Sequence, residues 1–289
     1  MSIDIKTLIV CNLIIGSFMG VWLLFYRANQ KTYPGFDLWL GGTFAFGFGF
    51  ATMLVRPFLP IWITVGPTNA LFILGVLARL DGTALFIHNR RLPKAAYGLI
   101  ALILAASLFF TVIHDSLLIR ALLFSVIASV GLIAHAVLYL IRGAAKVPLY
   151  RVSAVVHLAA VVSNMMRAML WLTAPGTGFF DGSAFQVGYF SSLILIEFCI
   201  QLSFVLINTR RTEHELRLSN RQLDSTIASL RATVMEIKTL KGLLPICANC
   251  KRVREGKSWL PVEEYLNAKC LADLEPTVCP SCQKASKDS

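Results

Sequence analysis

Charged residues are scarce in this chain, and acidic residues are the scarcest. It contains 16 Asp and Glu among 289 residues, against 27 Lys and Arg, and charged residues make up 15% of the total. Soluble domains contain about 25% charged residues, whereas 56% of this chain is hydrophobic. The composition therefore excludes an ordinary soluble domain and favours a membrane protein.

The chain also lacks a dense run of Lys and Arg, although its formal net charge is +11. Residues 1–207 hold six acids and thirteen bases, and residues 208–289 hold ten acids and fourteen bases. Without a basic cluster, we expect no nucleic-acid partner. The excess of base instead predicts a defined membrane orientation and contact with lipid headgroups.

Seven apolar stretches are long enough to cross a bilayer, which needs about 20 apolar residues per helix. They are Thr7–Tyr26, Phe36–Val55, Leu59–Leu77, Ala95–Ile113, Leu117–Ile141, Tyr150–Thr173 and Val187–Ile207. No small-residue cleavage site follows the first stretch, so we expect it to remain in the mature protein. The pattern predicts an all-α integral membrane protein, with a seven-helix transmembrane sensor domain in residues 1–207.

Basic residues are concentrated in alternate connections between these stretches. One set of connections contains Arg27, Lys31, Arg90, Arg91, Lys94, Arg142, Lys146, Arg151, Arg210 and Arg211. The opposite set contains Lys6, Arg56 and Arg120. Because cytoplasmic loops carry the excess of Lys and Arg, we predict a multi-pass membrane protein whose N-terminus lies outside and whose C-terminus lies in the cytoplasm.

Residues 208–241 form a polar segment that contains neither Gly nor Pro. Apolar residues recur there at heptad spacing, in one column of Leu216, Leu223, Leu230 and Ile237 and a second column of Ile227 and Val234. Asn220 occupies the second column, where an Asn fixes the register and strand number of a parallel coiled coil. We expect a homodimer through residues 213–240. A monomeric amphipathic helix lying on the membrane is the alternative.

Two Cys-x-x-Cys pairs define the predicted module at residues 242–289. Cys247 and Cys250 form the first pair, Cys279 and Cys282 the second, and 28 residues separate them. Four thiolates at this spacing favour a closed tetrahedral zinc site of structural type, like that of a zinc ribbon, although iron is not excluded. A redox or metal sensor that uses the same thiolates is the alternative reading.

The same segment resembles a short C-terminal module of bacterial sensory and two-component signalling proteins. The likeness covers about fifty residues and rests on the sequence L-L-P-I-C-A-N-C-K at 243–251, Trp259, Glu263, Glu264, Tyr265 and the closing C-P-S-C at 279–282. Lys269 and Pro276 stand where that family tends to have His, and Cys270 is an additional thiol. The resemblance implies a role in signal transduction, downstream of a sensor and a coiled-coil helix. The membrane part loosely resembles the multi-helix input regions of diguanylate cyclases.

Several ionisable residues lie within the apolar stretches, where they are costly and usually face the bundle interior. Arg167 and Glu197 lie at similar depths from the predicted outer face, and we expect them to form an ion pair. Arg79 and Asp81 are expected at the inner interface, where long side chains can reach water.

His135, His157 and Gln201 lie at one level nearer the cytoplasm, on the fifth, sixth and seventh predicted helices. Such a group can be an interhelical hydrogen-bond cluster, a ligand site, a proton relay or a bis-histidine haem site. We favour the hydrogen-bond cluster and do not expect haem.

Together with the resemblance, these features predict a signal-transduction receptor of the bacterial inner membrane, multi-pass, with a periplasmic N-terminus, a cytoplasmic C-terminus and no catalytic domain of its own. A membrane or periplasmic cue would pass through the coiled coil to the zinc module, which would engage a cytoplasmic signalling protein. The segment beginning at His214 echoes the phospho-acceptor box of histidine kinases, but no glycine-rich ATP-lid sequence follows, so we expect no enzyme activity. A membrane transporter or channel is the alternative class.

Overall fold

The computed structural model describes residues 4–141, 147–173, 183–240 and 245–269. The predicted second cysteine pair, Cys279 and Cys282, lies outside these described residues, as does Cys270. The chain divides into two compact units, residues 1–214 and 215–289.

The first unit is built almost entirely of long helices. They are α1 (Ile5–Asn29), α2 (Phe36–Leu54), α3 (Ile61–His88), α4 (Gly98–Val112), α5 (Leu117–Leu140), α6 (Pro148–Thr173) and α7 (Ala184–Leu240). A single 3-10 turn (Lys94–Tyr97) precedes α4. The helix α7 runs beyond this unit, because the division between the units falls after His214.

Six helices in the described part of the chain are long and apolar enough to cross a membrane. They are Ile5–Asn29, Ile61–His88, Lys94–Val112, Leu117–Leu140, Pro148–Thr173 and Ala184–Met235. The 19-residue α2, the predicted second span, is not among them, because four glycines and Asp37 lower its hydropathy. The apolar helices confirm the class of mostly helical membrane protein, and the count of seven crossings stays a prediction.

The helix α3 differs most from its predicted span. We expected a crossing at Leu59–Leu77, whereas α3 continues to His88 and has Pro67 inside it. Arg79 and Asp81 therefore lie within the helix, and both are buried inside the bundle. Asp81 accepts hydrogen bonds from the backbone N–H of Leu92 and from the hydroxyl of Tyr97. The expectation that the two side chains reach water was wrong, because α3 and its packing continue past them, and their place at the inner interface stays a prediction.

Glycines allow α2 and α3 to pack closely. A Cβ atom added to Gly42 would lie 2.8 Å from the backbone oxygen of Gly75 and 2.7 Å from Cγ of Arg79. A Cβ atom on Gly75 would in turn lie 3.0 Å from the backbone oxygen of Gly42. Small residues at helix interfaces are a common means of close approach in membranes. This contact brings the backbone of α2 against the side chain of Arg79.

Substitution of Gly42 by Ala is therefore expected to destabilise the protein. Overpacking costs about 1–3 kcal/mol, and the carbonyl of Gly75 is backbone that cannot move aside cheaply. In the described part of the chain, nothing lies within 4 Å of a Cβ added to the neighbouring Gly41, so Gly41→Ala is the matched control. Thermal unfolding of the two purified variants in detergent measures the difference. Equal melting temperatures would contradict the close approach of α2 and α3.

In the second unit, residues 245–269 form a small hairpin fold. Strands β1 (Val253–Glu255) and β2 (Ser258–Leu260) pair antiparallel, with Glu255 opposite Ser258. Gly256 has φ +58° at the first position of the two-residue turn, as a type II′ hairpin requires. The helix α8 (Val262–Lys269) follows, with Glu263 and Glu264 in its first turn, where acidic residues favour the helix dipole.

Candidate functional site

A buried ion pair between α3 and α7 forms the centre of the first unit. Both terminal nitrogens of Arg79 donate to the carboxylate of Glu197, at 3.0 and 2.5 Å. The side chains are 4% and 14% exposed. Buried charges need such bidentate geometry and further hydrogen bonds to offset the cost of leaving water. The carboxylate receives a further bond from Gln201, at 3.0 Å.

Gln201 connects this ion pair to α2. Its Oε1 accepts a hydrogen bond from the indole N–H of Trp39 at 2.9 Å, and its Nε2 donates to the hydroxyl of Thr43 at 2.9 Å. Because an indole N–H can only donate, this bond determines which end of the amide is oxygen. Trp39, Thr43 and Gln201 are all fully buried. We call the residues Trp39, Thr43, Arg79, Glu197 and Gln201 the central polar cluster.

Aromatic rings surround the central polar cluster. Trp39 stacks on Phe204 of α7 with ring centroids 4.0 Å apart and nearly parallel planes. The guanidinium of Arg79 lies 4.4 Å from the ring centroid of Phe46, within the range of cation–π attraction. Hydrogen bonds and aromatic packing thus hold the central polar cluster between α2, α3 and α7.

The two predicted histidines pack against each other beside this cluster. The imidazole rings of His135 and His157 stack with centroids 4.8 Å apart, and both side chains are buried. In each ring Nδ1 lies within hydrogen-bond distance of the carbonyl four residues earlier, Gly131 or Ser153. A carbonyl only accepts, so these bonds assign the proton of each neutral ring to Nδ1.

This arrangement of the two histidines does not fit haem. Bis-histidine ligation needs the two ring nitrogens to point at each other through the plane of the macrocycle. Rings stacked face to face at 4.8 Å leave no space for a porphyrin between them. The geometry is that of ordinary ring packing between α5 and α6.

The predicted ion pair between Arg167 and Glu197 is wrong. Glu197 pairs with Arg79, and the guanidinium of Arg167 lies 4.5 Å from the ring centroid of Tyr189. Tyr189 precedes Glu197 by eight residues on α7, which is about 12 Å along a helix axis. Arg167 is thus level with a different part of α7. Similar distances from a predicted membrane face did not place Arg167 opposite Glu197.

A cavity of about 100 Å³ adjoins the central polar cluster. Arg79, Glu197, His135, His157, Asn164 and Arg167 contribute to its lining, and the rest of the wall is mostly aromatic and aliphatic. An apolar cavity of about 150 Å³ can take up benzene, so the present space suits a smaller molecule. All five residues predicted as intramembrane candidates lie at this cavity or next to it.

A second group of polar contacts holds α7 further along the chain. The amide of Asn208 donates to the hydroxyl of Tyr26 and to the backbone carbonyl of Lys31, both at 3.0 Å. Arg211 donates to the carbonyl of Phe86 at 3.0 Å, which lies in the last turn of α3 and lacks a partner within its own helix. The residues of α7 that face the bundle are thus spaced four and three apart: Glu197, Gln201, Phe204, Asn208 and Arg211.

In the second unit, the first cysteine pair lies in a tight turn. The backbone N–H of Cys247 donates to the carbonyl of Arg252, and that of Lys251 donates to the carbonyl of Cys247. Lys251 has φ +57°, which reverses the chain after Cys250. Hydrogen bonds from the backbone N–H groups of Cys250 and Asn249 lower the pKa of the Cys247 thiol. They favour a thiolate, the form that binds metal.

This turn fits half of a four-thiolate site. Among the described residues, no group of three or more His, Cys, Asp or Glu is placed to hold a metal ion. Cys247 and Cys250 supply two sulfurs from one turn, as structural zinc sites require. The remaining predicted ligands, Cys279 and Cys282, belong to the part of the chain outside the description. The zinc site therefore stays a prediction.

Sequence reasoning missed three members of the central polar cluster. Trp39 and Thr43 have no charge and were not considered as partners, and Arg79 was assigned to an interface. A signal was available for Arg79, because an arginine followed by a further apolar run is a buried charge that needs an acid. Of the six acids in residues 1–207, only Glu197 lies near the middle of a predicted span.

These features define the class of the molecule as a multi-pass helical membrane protein with a buried polar centre. Comparison of the chain with protein-family models, with curated proteins and with solved structures finds no match. The resemblance of residues 243–282 to a signalling module therefore stays a prediction from the sequence.

Proposed function

We propose that this chain is a signalling receptor of the bacterial inner membrane that lacks a catalytic domain of its own. Its seven helices respond to a membrane or periplasmic cue. The coil at residues 213–240 makes the protein a parallel homodimer in the cytoplasm. The four-cysteine module binds one zinc ion through Cys247, Cys250, Cys279 and Cys282 and engages a cytoplasmic signalling protein.

The observation that carries this proposal is the composition of α7. One uninterrupted helix contains Glu197 and Gln201, which complete the central polar cluster, and then the heptad columns that begin at Leu216 and Asn220. A helix is stiff, so a small shift or rotation at one point is passed along its length. A cue that alters the hydrogen bonds of Gln201 would change the packing of the coil.

The central polar cluster supports a receptor better than a transporter. Its charged and amide groups are paired with one another across α2, α3 and α7. A two-state switch needs polar groups that can exchange partners, and Arg79, Glu197 and Gln201 each offer more than one donor or acceptor atom. A transporter instead presents its polar groups to a water-filled path.

Gln201→Leu tests the transmission step in the full-length protein in lipid nanodiscs. The substitution removes two hydrogen bonds to α2 without creating a buried charge, so we expect faster amide hydrogen exchange in residues 213–240. Ser203→Ala is the matched control, because among the described residues the buried hydroxyl of Ser203 bonds only to its own helix, at the carbonyl of Ile200. Faster exchange in α2 with no change in residues 213–240 would contradict transmission through α7.

The signalling output is tested by measuring transcripts in the organism whose genome encodes the protein. Deletion of the gene, Cys247→Ser and Gln201→Leu are expected to alter an overlapping set of transcripts, and Ser203→Ala is expected to leave that set unchanged. Unrelated responses to deletion and to Cys247→Ser would contradict a receptor that acts through its cysteine module. Solute flux in reconstituted vesicles that Gln201→Leu abolishes would favour a transporter.

A further inference from the structure

The side of α7 that faces away from its own bundle carries a regular exposed stripe. Between Phe185 and Leu206, every exposed residue of α7 except Phe198 falls in one of two columns spaced by seven. One column contains Gly188, Leu195 and Leu202, and the other contains Phe185, Cys199 and Leu206. We call Leu195, Cys199, Leu202 and Leu206 the membrane stripe.

The membrane stripe has the same phase as the heptads of the predicted coil. From Leu195 and Leu202, steps of seven residues lead through Thr209 to Leu216, Leu223 and Leu230. From Cys199 and Leu206, the same steps lead through Glu213 to Asn220, Ile227 and Val234. The alternation of four and three residues thus continues from 195 to 234 without an insertion or deletion.

The two apolar parts of this pattern, before Thr209 and after Glu213, are exposed within the single chain. Leu195 is 68% exposed and Leu206 43%, and in the second unit Leu223 is 58% and Leu230 60% exposed. The polar residues Thr209 and Glu213 interrupt the apolar character between the two parts but not the spacing. Thr209 hydrogen-bonds the hydroxyl of Tyr26.

The heptad register that the membrane stripe shares with the predicted coil indicates which surface covers the stripe. A helix surface that faces lipid alone has no reason to share the register of a seam beyond the membrane. In a straight helix, strict heptads drift by about 20° per repeat, or roughly 100° over the five repeats from 195 to 234. Two helices that wrap around each other in a left-handed supercoil remove this drift. Left-handed crossings are also the commoner kind in membrane bundles.

We propose that the membrane stripe binds the α7 of a second copy of this chain, so that one continuous two-helix interface runs from Leu195 to Val234. This inference rests on the dimer of the proposed function and extends it into the membrane. The bundle-facing residues of α7, Glu197, Gln201 and Phe204, lie on nearly the opposite side of the helix. Each α7 would thus pack against its own bundle on one side and against the α7 of the second copy on the other. A rotation of α7 at Gln201 would therefore change the dimer interface directly.

Disulfide cross-linking in membranes that contain the full-length protein tests the proposal. With copper–phenanthroline as catalyst and oxygen as oxidant, two Cys199 thiols are oxidised to one disulfide. We expect a covalent dimer whose Cys199–Cys199 peptide is identified by mass spectrometry and is lost in Cys199→Ser. In the Cys199→Ser background, Leu195→Cys, Leu202→Cys and Leu206→Cys should restore it.

Equally exposed positions on other helices are the controls. Phe18 on α1 and Val162 on α6 are 64% and 58% exposed, and Phe18→Cys and Val162→Cys should cross-link far less than the membrane stripe. Leu223→Cys reports on the coil alone. This inference would be overturned, and the proposed dimer left intact, if Leu223→Cys cross-linked while the positions of the membrane stripe cross-linked no more than Phe18→Cys and Val162→Cys. Absence of cross-linking at both places would overturn both.

Discussion

Glu197→Gln is expected to destabilise the protein more than any other single substitution in the membrane unit. It leaves the guanidinium of Arg79, which is only 4% exposed, without its countercharge. Removing one partner of a buried ion pair costs about 3–5 kcal/mol, because the remaining charge stays desolvated. Unfolding of the purified variant by heat or by SDS in mixed micelles measures the loss.

A second ion pair provides the matched control for Glu197→Gln. Arg27 pairs with Asp37 at 2.7 Å, and the two side chains are 49% and 65% exposed. Asp37→Asn is therefore expected to cost about 0–1 kcal/mol, the usual range for exposed pairs. Equal losses in the two variants would contradict a buried ion pair between α3 and α7.

Replacement of both charges separates the value of the pair from the cost of an unpaired charge. The double variant Arg79→Met with Glu197→Leu is expected to recover most of the stability, since apolar residues of similar volume often match a buried ion pair. Recovery would also show that Glu197→Gln loses stability because the charge of Arg79 stays buried without a partner. A double variant as unstable as the single one would assign the loss to packing around Phe46 and Gly42.

Cys247→Ser is the second substitution with a large expected effect. Zinc binding supplies about 10–16 kcal/mol to small structural sites at neutral pH, and a fold of about forty residues has too small a core to persist without it. We expect the wild-type chain to contain one zinc ion and Cys247→Ser to contain none. Residues 245–269 should then lose their protection from hydrogen exchange, as they should when the wild-type protein is treated with a chelator.

Two other cysteines provide controls for the metal measurement. Cys270→Ser and Cys199→Ser are expected to retain the zinc ion, because the predicted ligand set includes neither residue. Full protection of residues 245–269 after complete removal of metal would contradict a structural site. A disulfide between Cys247 and Cys250 in the freshly isolated protein would favour the redox-sensor alternative.

Much of the intramembrane site was predictable from residue type and depth. His135, His157 and Gln201 were expected at one level, and the structure brings the histidines into contact and places Gln201 in the adjoining cluster. Depth sufficed here because the ends of the predicted fifth and sixth spans agree with α5 and α6 to within two residues, and the predicted seventh span begins three residues after the start of α7. Glu197 was predicted as a buried acid because it lies near the middle of its predicted span.

The partner of Glu197 was not predictable in this way. It depends on the continuation of α3 past Leu77 and on Gly42, whose lack of a side chain leaves room for Arg79 against α2. Neither the length of α3 nor the space beside Gly42 can be read from the local pattern of hydrophobic residues. Trp39 and Thr43 were overlooked for a related reason, since an indole or a hydroxyl becomes a site residue only when a partner such as Gln201 is brought to it.

Apolar runs and their composition are local properties of the chain, and they were enough to identify a helical membrane protein and most of its helices. The pairing of buried polar groups is a property of the assembled bundle. It depends on helix length, tilt and the closeness that small residues permit, and many pairings satisfy the same linear pattern. Only the packed structure therefore decided that Arg79, and not Arg167, neutralises Glu197.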